Sequence, residues 1–258
     1  MTLRALRVHQ IWYQGATKIP SKYLENIRTI KEKIPNCTYQ CWDNTSITEL
    51  LSSKSSQLLE KYNEYKYMHQ KIDFARYCIL YFIGGLYVDM DAYVIKSPEY
   101  LVDEYPDTEV FVSTIGMYTY ESLLSTMLPE TINNGIIYAP KPNSTFMKNC
   151  IIEMPGKAHS LLSKFYTIQN TTGPRQFTII CKKSPHVTVL LPEFLEPCIQ
   201  TKCKITKNTI VVHKHEGTWI DSYTNDIVKL YTEIRTHTLA PTLAILVLLL
   251  ILYYNKRK

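Results

Sequence analysis

Hydrophobic and polar residues alternate along the chain with two periods, which predict a succession of strands and helices. Short apolar runs bounded by turn residues predict buried strands, the first of them over residues 8–12. Apolar residues three or four apart predict helices, beginning with residues 21–33. This alternation indicates an α/β domain. Further strands are predicted at 39–42, 109–114, 136–139, 187–190 and 209–213, and one strand starts with residues 86–88 and continues to Asp89 and Asp91. Further helices are predicted at 69–83, 145–154 and 174–182.

Two local signals predict helix ends. Ser46 with Glu49 three residues later is typical of a capping box, so we expect a helix to start there. The helix over 69–83 has Ile72, Ile79 and Ile83 on one stripe, and a Gly-Gly pair follows it. Glycine adopts backbone conformations that other residues resist, so this pair is expected to stop the helix just before the next strand.

Four charged residues in the block 71–91 are candidates for a site. On the predicted helix, Asp73 and Arg76 are three residues apart and share a face. On the predicted strand, Asp89 and Asp91 are two apart and therefore point to the same side, where two carboxylates can meet one divalent cation. Without a cation, these two carboxylates are expected to repel each other.

The context of these residues distinguishes a site from simpler alternatives. A lone Asp-x-Asp is most often a solvated strand end, and an Asp-x-x-Arg pair is often an exposed helical ion pair. Here, however, Asp89 and Asp91 end an apolar strand that directly follows the helix and the Gly-Gly pair. All four side chains are therefore expected at the carboxyl edge of a sheet, where open α/β folds bind ligands.

With these residues in place, the chain resembles the DXD-containing sugar-transferase family that includes the fungal outer-chain mannosyltransferase. Its donor site is similar to that of the large clostridial glucosylating toxins. The resemblance runs from about residue 9 to residue 219, and only the central block is strongly diagnostic. The matching segments are His9-Gln-Ile-Trp12, residues 73–91, Asn134-Gly-Ile-Ile-Tyr-Ala139, and His213 through Thr218-Trp219. The family more often has Ser at the position of Thr218.

The resemblance implies a GT-A type, Rossmann-like domain that binds a nucleotide-sugar and Mn²⁺ or Mg²⁺. For the nucleotide and sugar, the resemblance implies that Trp12 stacks on the base, that Asp73 and Arg76 hold the transferred sugar, and that Asp89 contacts ribose and sugar. For the metal, it implies that Asp91 is a ligand and that His213 approaches the metal or diphosphate. It also implies that Thr218 and Trp219 belong to a loop that covers the donor. As alternatives, both tryptophans are core aromatics and His213 is a hydrogen-bonded core histidine.

The function implied is transfer of a hexose from a UDP- or GDP-sugar to a glycan, protein or lipid, with retention of the anomeric configuration. Attack on the face of the leaving diphosphate needs no protein nucleophile, and the sequence identifies no general base. One alternative is a membrane-anchored protein that kept the fold and only binds glycans or partners. Another is an Asp-dependent phosphohydrolase, which predicts Thr or Val where Tyr93 stands.

Composition and charge are consistent with one globular enzyme. Hydrophobic residues make up 45% and charged residues 20% of the 258 residues, which favours folding over disorder. The net charge of +6 is scattered, so we expect no nucleic-acid partner. The seven cysteines are interpreted mostly as reduced core thiols, with a Cys198–Cys203 disulfide as the alternative in an oxidising lumen.

An apolar run near the C-terminus predicts a membrane anchor. Residues 239–254 are uncharged and mostly apolar, and at 1.5 Å per residue they span about 24 Å as a helix. We therefore expect a catalytic domain over 1–230, a connector over 231–238, a transmembrane helix over 239–254 and a basic tail over 255–258. No secretory signal is visible, which favours a cytosolic catalytic domain, whereas the basic tail and four Asn-x-Ser/Thr sequons leave a lumenal domain as the alternative.

Overall fold

The computed structural model describes residues 5–116, 122, 126–156, 163–199 and 202–216. Residues 1–158 and 168–216 form one compact unit, and residues 159–167 and 217–258 form a second. The predicted boundary at residue 230 and the predicted membrane helix at 239–254 lie outside the described residues. Within the described ranges, no helix combines the length and the apolar character needed to cross a membrane.

Strands and helices follow each other along the described chain. The strands are β1 (Arg7–Ile11), β2 (Thr38–Trp42), β3 (Gly85–Val88), β4 (Ala92–Val94), β5 (Val110–Ser113), β6 (Ile136–Ala139), β7 (Val187–Leu190), β8 (Cys198–Ile199), β9 (Lys202–Cys203) and β10 (Val211–His213). The helices are α1 (Ser21–Lys33), α2 (Asn44–Lys54), α3 (Ser56–Glu64), α4 (Met68–Ile83), α5 (Leu101–Glu104), α6 (Thr145–Glu153), α7 (Lys164–Thr171), α8 (Pro174–Cys181) and α9 (Pro192–Leu195), with a 3-10 turn at Ala16–Lys18.

The main sheet has six strands in the order β2-β1-β3-β6-β5-β7. Strands β2, β1 and β3 are parallel, β6 runs antiparallel to both β3 and β5, and β7 is parallel to β5. The predicted α/β class is therefore confirmed, with a mixed sheet. Strand β4 pairs with β10 in a separate antiparallel ladder.

Both faces of the central strands are buried, because successive side chains point to opposite faces. In β3, Leu86 and Val88 lie in one hydrophobic cluster, whereas Tyr87 lies in the other. In β6, Tyr138 and Ala139 divide between the clusters in the same way. The middle of the sheet is therefore covered on both sides, which explains why these strands read as continuous apolar runs.

The glycine pair between α4 and β3 stops the helix as predicted. Gly84 has φ of 70° and Gly85 has φ of 108°, both in the left-handed region that favours glycine. A Cβ on Gly85 would lie 2.3 Å from the backbone oxygen of Arg7 in the neighbouring strand β1. The pair thus both turns the chain and allows β1 and β3 to approach each other.

Most predicted elements agree with the structure, and two predictions are corrected. Strand β1 ends one residue before Trp12, which leaves the indole just beyond the sheet. The capping box of α2 is formed by Asp43 and Ser46, not by Ser46 and Glu49. Asp43 precedes the first helical residue and its carboxylate accepts from the Ser46 backbone N–H at 2.8 Å, so the helix starts earlier than the Ser-x-x-Glu pattern indicated.

The cysteines divide into one disulfide and five free thiols. Cys198 and Cys203 are bonded to each other across the β8–β9 hairpin, so the alternative that the spacing allowed is the one present in the structure. The other five cysteines are free thiols. Cys78, Cys150 and Cys181 are buried, as expected of core thiols, whereas Cys37 and Cys41 are only partly buried.

Candidate active site

The Asp-x-Asp pair lies in the turn between β3 and β4. Strand β3 ends at Val88 and β4 begins at Ala92. The prediction that Asp89 and Asp91 lie on a strand is therefore wrong, because the chain turns between these two strands. Both residues still lie at the carboxyl edge of the parallel strands. The amide of Gln10 in β1 donates to the backbone oxygen of Asp89 at 3.2 Å, and the amide of Asn26 in α1 donates to that of Met90 at 2.7 Å. Side chains from two neighbouring elements therefore hold this turn in place.

A buried arginine connects helix α4 to the turn. Arg76 is 5% exposed, and its guanidinium lies 3.2 Å from Asp73 Oδ1 and 3.3 Å from Asp89 Oδ1. It also donates to the backbone oxygen of Asn134 at 2.7 Å and stacks over the Tyr87 ring at 4.6 Å. The Asp73–Arg76 pair is therefore not an exposed helical ion pair, and the structure brings it to the Asp-x-Asp turn as the sequence predicted.

Asp73 is held by protein groups on both of its oxygens. Oδ1 accepts from the Asn134 amide at 3.0 Å, and Oδ2 accepts from the Thr172 hydroxyl at 3.1 Å. Burial raises the pKa of Asp73 to about 7, against the opposing charge of Arg76. Its side chain is 6% exposed, so a direct contact with a sugar would require one of these hydrogen bonds to be exchanged.

Asp89 is the more accessible carboxylate beside Arg76. Its side chain is 27% exposed, and its Oδ1 accepts from the Tyr87 hydroxyl at 2.8 Å. No described residue donates a hydrogen bond to its Oδ2, which faces Gly135. This oxygen is therefore the one that remains for a ligand.

Asp91 faces a histidine from the β4–β10 ladder. His213 is the register partner of Ala92, and its Nε2 lies 3.1 Å from Asp91 Oδ1. The other oxygen of Asp91 accepts from the backbone N–H of Glu216 at 2.8 Å. Burial opposes ionisation of Asp91, but the hydrogen bond and charge of His213 outweigh it and hold the pKa of Asp91 below its usual value. The structure thus places two residues that the resemblance assigns to the metal or diphosphate within hydrogen-bond distance of each other, although they are far apart in sequence.

Sequence reasoning missed Glu196, which lies on the other side of His213. Its Oε1 is 3.1 Å from His213 Nδ1, and its Oε2 is 2.6 Å from His215 Nε2. Burial opposes ionisation of Glu196, yet the two histidines lower its pKa to about 2. Glu196 stands before Pro197 and Cys198 without any motif, so the spacing of His213 and His215 was the only sequence signal for this cluster.

The loop before β6 completes the site. Asn133 Nδ2 lies 2.5 Å from Glu196 Oε1, and its Oδ1 accepts from the Gly135 backbone N–H at 3.0 Å. A Cβ on Gly135 would lie 2.6 Å from Asp89 Oδ2 and 2.7 Å from His213 Cε1. Glycine is therefore required here for close approach of the backbone to the two site residues, rather than for an unusual φ.

The donor atoms of this cluster fit a divalent cation. One ligand atom each from Asp89, Asp91 and His213 lies within 4.8 Å of the others. Carboxylate oxygens with an imidazole nitrogen suit Mn²⁺, and a mainly oxygen set also suits Mg²⁺. A second group of the same kind, Glu196 with His213 and His215, shares the same imidazole.

Of the predicted donor-binding aromatics, the structure describes one. Trp12 is half-buried at the end of β1, and its ring centroid lies 5.6 Å from that of Tyr23. Its indole Nε1 has no hydrogen-bond partner among the described residues. Tyr23 in turn donates to the carboxylate of Glu216 at 2.9 Å, and the backbone N–H of Glu216 donates to Asp91. Thr218 and Trp219 lie outside the described residues.

The fold and the site agree with the resemblance found in the sequence. An Asp-x-Asp turn lies at the carboxyl edge of a mixed α/β sheet, beside a buried Asp–Arg pair and a histidine, as the resemblance to DXD-containing sugar transferases implies. Residues 20–111 match the family described as glycosyltransferase sugar-binding region containing DXD motif. This match covers about a third of the chain, and together with the relatives below it supports a glycosyltransferase function.

The chain is similar to known proteins over longer stretches than this matched region. The chain is 28% identical over 229 residues to an uncharacterised glycosyltransferase of Acanthamoeba polyphaga mimivirus, covering 82% of each protein. It is 24% identical over 198 residues to inositol phosphoceramide mannosyltransferase 3 of Schizosaccharomyces pombe, covering 73% of this chain and 50% of that protein. The chain thus spans about half the length of the fission-yeast relative. The structure of mouse xyloside xylosyltransferase 1 is similar with a TM-score of 0.48 at 14% identity, covering 84% of this chain and 87% of that one.

Proposed function

We propose that this glycosyltransferase moves a hexose from a nucleotide-sugar donor to an acceptor, with a divalent cation bound at the Asp-x-Asp turn. The observation that supports the proposal most directly is the convergence of Asp89, Asp91 and His213 beside the buried Arg76. This places oxygen and nitrogen donors for a cation next to a fixed cationic side chain, at the edge where β1 and β3 end. A nucleotide diphosphate needs both kinds of group.

Asp91 and His213, with Asp89, would hold the cation. Mn²⁺ or Mg²⁺ at this position would supply positive charge as a Lewis acid to the departing diphosphate, a contribution of several kcal/mol without proton transfer. The protein prepares the ligands, because His213 and the Glu216 backbone N–H already fix both oxygens of Asp91. Little rearrangement of this carboxylate is then needed when the donor binds.

Arg76 and Asp89 are proposed to position the transferred sugar. Tyr87 and Arg76 fix Asp89 Oδ1, which leaves Oδ2 as an acceptor for a sugar or ribose hydroxyl. Asp73 fixes Arg76 from the other side within a dry, low-dielectric environment. We propose transfer with retention, by attack on the same face as the leaving diphosphate, on the basis of the family resemblance.

The identity of donor and acceptor is proposed from a relative. The name of the fission-yeast relative states mannosyl transfer to inositol phosphoceramide. We therefore propose mannose as the first donor sugar to test and an inositol-containing sphingolipid as the first acceptor. A glycan or protein acceptor is the alternative.

Membrane attachment through residues 239–254 remains part of the proposal, supported by the apolar run in the sequence. For the side of the membrane, the Cys198–Cys203 disulfide supports the lumenal alternative, because disulfides persist in oxidising compartments. Protease protection of intact membranes, combined with glycosidase treatment, tests this point. We expect a protected domain that carries glycan at an exposed sequon such as Asn36 or Asn143. A domain that is digested and unglycosylated would instead support a cytosolic location.

The test of activity is a donor panel with the detergent-solubilised full chain. UDP- and GDP-sugars are incubated with Mn²⁺, with Mg²⁺ or with EDTA, with and without an inositol phosphoceramide acceptor, and nucleotide release and product are measured. We expect release from one sugar nucleotide, faster with acceptor and abolished by EDTA. Donor binding without turnover would instead support a binding protein, and phosphate release from a simple phosphomonoester would support a phosphohydrolase.

A further inference from the structure

A buried carboxylate stands behind the proposed metal ligand His213. Glu196 directly follows the short helix α9, and its backbone N–H donates to Pro192 at 2.7 Å. The residue is 1% exposed. Its position is therefore set by the backbone of α9 and not by solvent contacts.

The partners of Glu196 connect it with the site. Burial of a carboxylate is costly unless it is paired, and no Lys or Arg of the described residues forms an ion pair with it. Its contacts are the imidazoles of His213 and His215 and the amide of Asn133. A buried anion whose partners all belong to the edge of one site is best explained by a function in that site.

The geometry around His213 assigns different tasks to the two ring nitrogens. Nδ1 faces Glu196 Oε1 at 3.1 Å, with Asn133 Nδ2 at 2.9 Å beside it, and Nε2 faces Asp91 at 3.1 Å. A carboxylate that accepts from Nδ1–H fixes the ring orientation and leaves Nε2 as the nitrogen that can bind a cation. We propose that Glu196 is a positioning residue that orients His213 toward the cation at the Asp-x-Asp turn, an inference that rests on the proposed function.

The same residues also permit a different interpretation, a second cation held by Glu196, His213 and His215. Two observations favour positioning. The single imidazole of His213 would have to bind one ion through each nitrogen and lose both of its ring protons. In addition, the Asn133 amide N–H₂ already lies 2.5 Å from Glu196 Oε1. The partial positive charge of this amide would repel a second cation bound to the same carboxylate. The stoichiometry of binding therefore decides between the two.

The experiment measures cation binding without turnover. The full chain in detergent is titrated with Mn²⁺ by calorimetry, for the wild type and for Glu196→Gln, Glu196→Asp, Asp91→Asn and Glu193→Gln. Glu193 is the matched control, because it lies three residues before Glu196, on helix α9, but contacts Thr206 and Asn208 instead of the histidines. We expect one ion per wild-type chain, a Kd raised about 10- to 100-fold by Glu196→Gln, a smaller increase by Glu196→Asp, and no change by Glu193→Gln.

A double-mutant cycle separates positioning from a merely structural role. If Glu196 acts through His213, Glu196→Gln should raise the Kd for Mn²⁺ much less in a His213→Ala background than in the wild type. A structural role would lower the melting temperature and leave the Kd of the folded protein unchanged. If Glu196→Gln does not fold, Glu196→Asp is used in the same cycle.

The outcomes distinguish this inference from the proposed function. Wild-type affinity in the Glu196 variants, together with weak binding by Asp91→Asn, overturns the positioning role and leaves the metal site intact. Two ions per wild-type chain also overturn it, in favour of a second site. Failure of the wild type to bind Mn²⁺ at millimolar concentration instead counts against the proposed function itself.

Discussion

At the scale of single residues, the site is a chain of charges that alternate in sign. Glu196, His213 and Asp91 follow one another at hydrogen-bond distance, and Arg76 lies between Asp73 and Asp89. Each buried charge therefore has a partner of opposite charge, as burial requires. The sequence alone suggested repulsion between Asp89 and Asp91, whereas the structure gives each of them its own cationic partner.

The first residue-scale prediction concerns Asp91. Replacing it with Asn removes an anionic ligand and one of the two carboxylates that face His213, the other being Glu196. We expect Mn²⁺-dependent turnover to fall by about 100-fold or more. We also expect the metal-free protein to lose on the order of 1 to 3 kcal/mol of stability at pH 7. The sign follows from the lowered pKa of Asp91, which contributes stability above the ordinary carboxylate pKa and loses it as the pH falls.

Sugar transfer and thermal melting of the apo-protein check this prediction. Asp103→Asn, which changes an exposed carboxylate on helix α5, is the control and should alter neither. A higher melting temperature for Asp91→Asn would show that repulsion dominates after all, and near-normal turnover at low Mn²⁺ would remove Asp91 from the metal site.

The second residue-scale prediction concerns Trp12, a half-buried indole at the end of β1. If it stacks on the nucleotide base, Trp12→Ala should weaken donor binding by about 1 to 3 kcal/mol, which is roughly a 5- to 150-fold increase in Kd. Trp12→Phe should restore part of the affinity. Donor titration by intrinsic fluorescence or calorimetry measures both, and an unchanged Kd in a folded Trp12→Ala variant rejects the stacking role.

At the scale of elements, the site depends on turns that regular structure brings together. The Gly84-Gly85 turn connects helix α4 directly to strand β3. Arg76 on the helix and Asp89 just after the strand therefore come into contact. The β4–β10 ladder then delivers His213 beside Asp91. The loop before β6 lies against both of these groups, and its Gly135 comes closest to the side chains of Asp89 and His213.

The element-scale prediction is therefore Gly135→Ala. The added methyl would lie within 2.7 Å of Asp89 Oδ2 and His213 Cε1, so one of these side chains must move. We expect a loss of turnover of about 100-fold, since displacement of a site group by about 1 Å has effects of this size. Gly156→Ala is the control, because its nearest contact is an ordinary 3.5 Å from Glu64 Oε2. Steady-state kinetics and melting of both variants test this, and equal activity would show that the loop yields at little cost.

At the scale of the whole molecule, the sheet itself is sensitive to acid through His9. This residue is 2% exposed in β1, where its Nε2 contacts the Gly84 oxygen at 2.9 Å and its Nδ1 accepts from Trp42 at 3.2 Å. Burial lowers the pKa of His9 to about 4 from 6.5, and the charge of Arg7 adds to the effect. The folded protein therefore keeps His9 neutral where the unfolded chain protonates it.

The whole-molecule prediction follows from this difference. The contribution of His9 is complete above pH 6.5 and is lost as the pH falls toward 4, by about 3 kcal/mol in total. Chemical unfolding at pH 7 and pH 4.5 measures the loss. His9→Gln should lower stability at pH 7 but reduce its dependence on pH, whereas His186→Gln, on the surface, should leave that dependence as in the wild type. An unchanged slope in His9→Gln would contradict the assignment.

The sequence by itself determined the local features of this protein. Helix α1 and strands β6 and β7 occur at the predicted residues, because apolar periodicity depends on which face of an element is buried. The Asp-x-x-Arg and Asp-x-Asp pairs were recognisable for a related reason. Their residues are close in sequence, and the glycine pair between them leaves few conformations for the chain.

Only the tertiary structure decided which distant residues meet. Asp91 and His213 are 122 positions apart, and Glu196 reaches His213 because α9 and β10 pack together, although neither carries a motif for that contact. The antiparallel insertion of β6 between β3 and β5 likewise brings Gly135 to Asp89. Such contacts depend on how whole faces of the sheet exclude water and pair buried charges, and this balance is set by all the packed elements together and not by any one segment.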